Sequence, residues 1–124
     1  MTQTENLELA FEIVLDYPRE KPKLDAFSKV FLDAVDSAFS TLGDQAKQVF
    51  YRYLESSHGI SRKMIPRNVE AFATVVETVF GQSARLIEIR IMCTLHGKFP
   101  NFKYSAAKGE LSFVGYVEAL RLFL

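Results

Sequence analysis

Between residues 24 and 42 the apolar side chains recur every three or four positions: Phe27, Val30, Phe31, Ala34, Val35, Ala38 and Leu42. Lys29, Asp33, Asp36, Ser37 and Ser40 fill the opposite side, so the spacing predicts an amphipathic helix. Gly43 terminates it and Asp44 is placed to cap the next. That second helix, over 45–57, is expected to bury Ala46, Val49, Phe50, Tyr53 and Leu54 and to stop at His58-Gly59. The connector 60–66 offers Ile60 and Ile65 as plugs for the end of a bundle. Asn68 then caps a third helix carrying Phe72, Val75, Val76, Val79 and Phe80, which Gly81 closes.

The stretch 84–96 has a different pattern. On a helical wheel Ala84, Ile87, Ile91 and Leu95 form one arc, while Leu86, Ile89 and Cys93 form a second, roughly opposite. Arg90 and Thr94 separate the arcs on one flank, and Arg85, Glu88 and His96 on the other. Two apolar stripes imply cover from two sides, either by the chain's own helices or by a second molecule. Ile87, Ile89, Ile91, Cys93 and Leu95 also alternate as a strand would. Helix is the better reading, because Ser83-Ala84 is a good start and Gly97 a good stop.

Toward the N-terminus, residues 6–17 satisfy two periods: Leu7, Leu9, Phe11, Ile13 and Leu15 alternate, yet Glu8, Glu12 and Asp16 sit four apart. No partner strand follows, which favours helix; Pro18 ends the element and 18–23 reads as a charged linker. After Gly97, residues 100–109 read as a loop, with a short hairpin conceivable within 102–113. Ser112 caps a last helix over 113–124, with Phe113, Val117, Leu120 and Leu124 on one side. Leu122-Phe123-Leu124 would be an aggregation hazard in water, so packing on the core or on another chain is expected. The reading is all-α: one compact orthogonal bundle of five to six helices around a central apolar helix. Residues 1–23 form an extension, 24–98 the core, and 99–124 a loop and final helix.

Composition sharpens this. The 124 residues are 48% hydrophobic, with 11 Phe and no Trp, which is ample for one core and argues against disorder. Charges balance at 15 basic and 15 acidic, so no global field recruits nucleic acid or an anionic membrane. Residues 1–58 carry 6 basic and 10 acidic groups, and residues 59–124 carry 9 and 5. The single Cys93 suits a reducing cytoplasm. A basic-then-apolar leader and a run of about 20 apolar residues are both missing, so a soluble cytoplasmic protein is expected.

Residues 34–95 carry a set of punctuation marks: Leu42-Gly43, His58-Gly59-Ile60, Ile65-Pro66, Phe72, Phe80-Gly81-Gln82-Ser83-Ala84 and Ile87-Glu88. In this the chain resembles a small family of archaeal proteins and signalling output domains, the nitrosopumilus output domain type. Ser83 stands where the family pattern has a second glycine. The resemblance implies an all-helical module without known catalytic residues, sometimes attached to sensors.

Candidate chemistry is thin. Cys93-x-x-His96 has a two-ligand spacing, but His58 is the only other histidine, so Cys93 reads as a small hydrophobe and no metal or cofactor is expected. Glu88, His96 and His58 are the acid/base candidates; a buried ion pair of Glu88 with Arg85, or with Arg90 on a neighbour, is favoured over catalysis, and no catalytic residue is assigned. Arg62, Lys63 and Arg67 form a basic connector suited to docking an acidic partner. As a nucleic-acid footprint it is weak, because the following helix exposes Glu70, Thr74, Glu77 and Thr78. The expected function is protein–protein interaction without catalysis, through a homodimer or another protein, as an adaptor or signalling-output domain. The expected contact residues are Leu86, Ile89, Cys93, Leu120, Phe123 and Leu124. A nucleic-acid-binding regulator and a small-molecule sensor with an apolar pocket are the alternatives.

Overall fold

The computed structural model describes residues 25–105 and 112–124. The readings of 6–17 and 18–23, and most of the conceivable hairpin, lie outside the described residues; 102–105 carry no strand. Among the described residues, five α-helices and two 3-10 turns make an all-helical bundle, and no strand occurs. Helix α1 is Ala26–Ser40, α2 is Asp44–His58, α3 is Val69–Phe80, α4 is Ala84–Lys98 and α5 is Phe113–Phe123. The 3-10 turns Arg62–Arg67 and Gly81–Ser83 join α2 to α3 and α3 to α4.

The helix ends follow local chemistry, with some departures from expectation. Asp25 caps α1, its side chain accepting from Ser28 N at 2.7 Å, and Ser112 caps α5 by accepting from Gly115 N at 3.0 Å. At α2 the cap position is Gly43, with φ +99°, and Asp44 lies inside the first turn, where its charge favours the helix dipole. Asn68 does not cap α3 through its side chain; its Nδ2 donates backwards to the Met64 carbonyl at 2.8 Å and closes the 3-10 turn instead. Gly59, in left-handed geometry, and Gly81, with φ +57°, end α2 and α3 as the spacing predicts. Helix α4 runs one residue past Gly97, to Lys98. Ser83 has φ −70°, an ordinary conformation that needs no glycine.

The core is built on α1. Phe27, Phe31, Leu32, Ala34, Val35, Ala38 and Phe39 are all buried there, and α1 packs against α2, α4 and the first 3-10 turn. At its C-terminal end Phe39 meets the rings of Phe50, Phe72 and Phe80 at centroid distances of 4.7, 6.3 and 5.9 Å. At its N-terminal end Phe27 and Phe31 stack at 5.6 Å, and Phe31 leads on to Phe113 of α5. Ile60 and Ile65 plug the end between α2 and α3, both buried. Helix α4 packs on α1, α3 and α5, as a central helix does, yet only its first arc is covered. Its deepest partner is α1, which buries more of its own side chains than α4 does.

A three-membered polar clasp holds the first 3-10 turn to this core. Tyr51 Oη donates to Asp36 Oδ1 at 2.6 Å, and Arg62 Nε donates to the same carboxylate at 3.0 Å, reinforced by a shorter contact from its Nη2. Burial alone would raise the Asp36 carboxyl, but hydrogen bonds from Arg62 and Tyr51 outweigh it and hold the group below its ordinary range. The clasp therefore stabilises the fold at neutral pH and is lost as the carboxylate protonates in acid. Asp36→Asn is expected to cost about 1–2 kcal/mol, scaled down from a buried charged pair because both side chains remain partly solvated. Urea denaturation at pH 7 reads this directly, and an unchanged midpoint would remove the clasp from the fold's energetics.

Candidate functional site: three open apolar surfaces and a carboxyl pair

The two arcs of α4 have opposite fates. Ala84, Ile87, Ile91 and Leu95 are buried against α1 and its neighbours, joined by Glu88 and Met92. Leu86 is 66% exposed, Ile89 is 38% exposed and Cys93 is exposed. These three make an open ridge along the helix. On one side lies a depression of about 260 Å³ lined by Ser37, Ala38 and Thr41 of α1 together with Arg90 and Thr94. On the other lies one of about 300 Å³ lined by Met92, His96 and Tyr116. An apolar ridge flanked by two hollows is the relief on which helices interlock.

A second open surface is a correction to the expected burial. Of the five α2 positions expected inside, only Phe50 and Leu54 are buried. Ala46, Val49 and Tyr53 are exposed, as is Val79 of α3. Together with Phe50 and Phe80 they line an almost wholly apolar groove of about 370 Å³ between α2 and α3. The cause is position: α2 packs on α1 and meets α3 through the Phe50, Phe72 and Phe80 rings, and its side bearing Ala46, Val49 and Tyr53 stays open.

The third surface is the end of α5. Leu120 is buried in the protein's own core and is not available for contact, contrary to its placement among the interface residues. Leu122, Phe123 and Leu124 are exposed, although the Phe123 ring leans on Phe102 at 5.1 Å.

The polar candidates sort as follows. Glu88, only 4% exposed, faces Arg85 at 3.7 Å through Oε1, and among the described residues its Oε2 has no hydrogen-bond partner. Glu77 of α3 confronts it. Burial, then the neighbouring Glu77 carboxylate, push Glu88 up to about 7, against the pull of Arg85. Periodicity marks Glu88 as a candidate for burial, but nothing in the spacing pairs it with Glu77, eleven positions away on another helix. His58 lies edge-on to Tyr53 at the end of α2, while His96 is on α4, so the histidines occupy different helices. Cys93 is at the surface, not core filler, and shares one hollow with His96. Among the described residues no three of His, Cys, Asp and Glu gather as metal ligands would. Of the basic connector, Arg62 is committed to Asp36, while Lys63 and Arg67 are exposed. Glu70, Thr74, Glu77 and Thr78 lie on the exposed side of α3. Among the described residues no helix is long and apolar enough to cross a membrane. Comparison of the chain with family models, curated proteins and solved structures finds no match.

Proposed function

We propose that this is a non-catalytic protein–protein interaction module of the cytoplasm, a self-associating adaptor or signalling-output domain, in keeping with the family its punctuation residues resemble. The observation that carries the reading is the ridge of Leu86, Ile89 and Cys93, an apolar arc left uncovered on a helix whose other arc is fully used. Burying large aliphatic side chains is worth about 1.5–3 kcal/mol each, so a ridge of this kind favours a covered state. A second copy presents the same ridge and the same hollows, which suits a two-fold contact in which each ridge enters a hollow of the other. The surface arginines Arg85 and Arg90 flank the arc and set a polar rim around it.

Light scattering at micromolar concentration tests the reading. The wild type is expected at twice the chain mass, and Ile89→Asp as a soluble monomer with an unchanged helical spectrum. A monomeric wild type would remove the interface assignment. The α2–α3 groove supports the sensor alternative, since about 370 Å³ of apolar space suits a small hydrophobic ligand. Val79→Trp should fill the groove and abolish binding of a hydrophobic dye there while leaving the mass unchanged.

A further inference from the structure

Helix α5 lays Tyr116 beside the α4 ridge. Its ring is held edge-on by Phe102 and Tyr104, at centroid distances of 5.5 and 5.7 Å, and the residue is 7% exposed. Among the described residues its buried hydroxyl has no hydrogen-bond partner. A buried donor without an acceptor is a standing cost, relieved by any oxygen that comes within its reach. Burial, and after it the Cys93 sulfur, raise the Tyr116 hydroxyl above its ordinary range, so the two groups lie close enough to interact. Both line the hollow of about 300 Å³ that Ile89, Met92 and His96 complete. Cys93 is exposed and is the chain's single cysteine.

A thiol sulfur is a weak acceptor, but an oxygen bonded to that sulfur accepts well and stands one bond farther from the helix. We propose that Cys93 is a site of reversible oxidation by hydroperoxides, its sulfenic acid held in the hollow by a hydrogen bond from Tyr116. Sγ attacks one oxygen of the peroxide, so that an S–O bond forms and the O–O bond breaks. Sulfur gives up two electrons, the peroxide is reduced, and the leaving hydroxide takes the thiol proton and departs as water. A thiol reductant reverses the step through a mixed disulfide. The chemistry needs one chain alone. Its consequence rests on the proposed two-fold contact: there the hollow receives the other copy's ridge, so oxygen on Cys93 favours the monomer.

Leu86→Asp changes the ridge outside both hollows and leaves the site open whatever the wild-type mass. In this background a brief hydrogen peroxide pulse, peroxide removal and delayed addition of dimedone measure how long the sulfenic acid survives. Adduct on Cys93 is expected after the delay, and Tyr116→Phe should lose it several-fold sooner as the sulfur passes to higher oxides. Reduced Tyr116→Phe should match or exceed its parent's urea midpoint, since only an unpartnered hydroxyl is removed. Equal survival in the two proteins, or no adduct in either, overturns the proposal. So does a Tyr116→Phe protein that unfolds more easily when reduced, which would show the hydroxyl already partnered. In the wild type, light scattering should fall from twice the chain mass to the single chain mass on peroxide treatment and return with dithiothreitol. A mass that stays doubled while adduct forms overturns the consequence. A wild type that is monomeric before peroxide removes the ridge contact instead, and the survival comparison still decides the chemistry.

Discussion

Phe39→Ala is expected to remove about 3–5 kcal/mol of stability, the range for deleting a large ring from a packed interior. Phe39 is fully buried at the meeting point of three helices, with Phe50, Tyr51, Phe72 and Phe80 all within ring-contact distance. Its removal strips contacts from α2 and α3 together, and the surrounding rings cannot all close on the void. Against a typical domain stability of about 5–15 kcal/mol this brings the fold near its limit. In urea the midpoint should fall by more than about 1 M at an unchanged slope. Val49→Ala, one residue before Phe50, should change stability by no more than about 0.5 kcal/mol, because Val49 is exposed in the groove. Equal losses at the two positions would mean that the groove is closed in solution.

Stability is also expected to fall as pH rises from about 4.5 to about 7. Glu88 has its carboxyl raised from 4.5 to about 7 by burial and by Glu77. In the unfolded chain the same group ionises near its ordinary value of about 4.3. Between those two values the folded protein holds a proton that the unfolded chain has released, so each step up in pH favours unfolding. Above about pH 7 the fold must carry a charged, nearly enclosed carboxylate beside another carboxylate, at a cost on the order of 2–3 kcal/mol. Glu88→Gln keeps a polar side chain of the same shape without the charge. It is expected to be more stable than wild type by about 2 kcal/mol at pH 8, about equal at pH 4, and without the downward slope that Glu88 adds between. Glu77→Gln should remove part of the slope by removing the like charge. Urea midpoints at about pH 4, 6 and 8 for the three proteins measure this, and a Glu88→Gln protein that tracks the wild type at all three would show Glu88 to be solvated.

Much of the fold is legible along the chain because it depends on near neighbours. A glycine that ends a helix, a serine or aspartate that starts one, and an apolar step of three or four act within one or two turns. Gly59, Gly81 and Ser112 do what their local chemistry dictates, and the helix period prevails over the strand period at α4. The same reasoning misplaces Asp44 by one position and gives Asn68 a cap it does not form, since a side chain with two nearby carbonyl or amide partners takes whichever the backbone brings closer.

What a stripe buries is another matter. Val49 and Phe50 belong to the same apolar run, yet Val49 is exposed in an open groove and Phe50 is buried in the aromatic cluster, because α1 and α3 meet only the Phe50 side of α2. Periodicity treats the two arcs of α4 as equals, and the packing of α1, α3 and α5 is what encloses Ile91 and leaves Ile89 partly open. The Asp36–Arg62–Tyr51 clasp and the Glu77–Glu88 pair join residues from separate helices and turns, so no spacing in the chain announces them.

The order of residues thus dictates where helices begin and end and which of their faces are apolar, since these follow from backbone and side-chain chemistry over a few positions. Which apolar faces are enclosed, which stay open to a partner, and which charges meet are settled by the packing of whole helices. Those outcomes depend on how many neighbours each helix has in three dimensions, a quantity that no local pattern encodes.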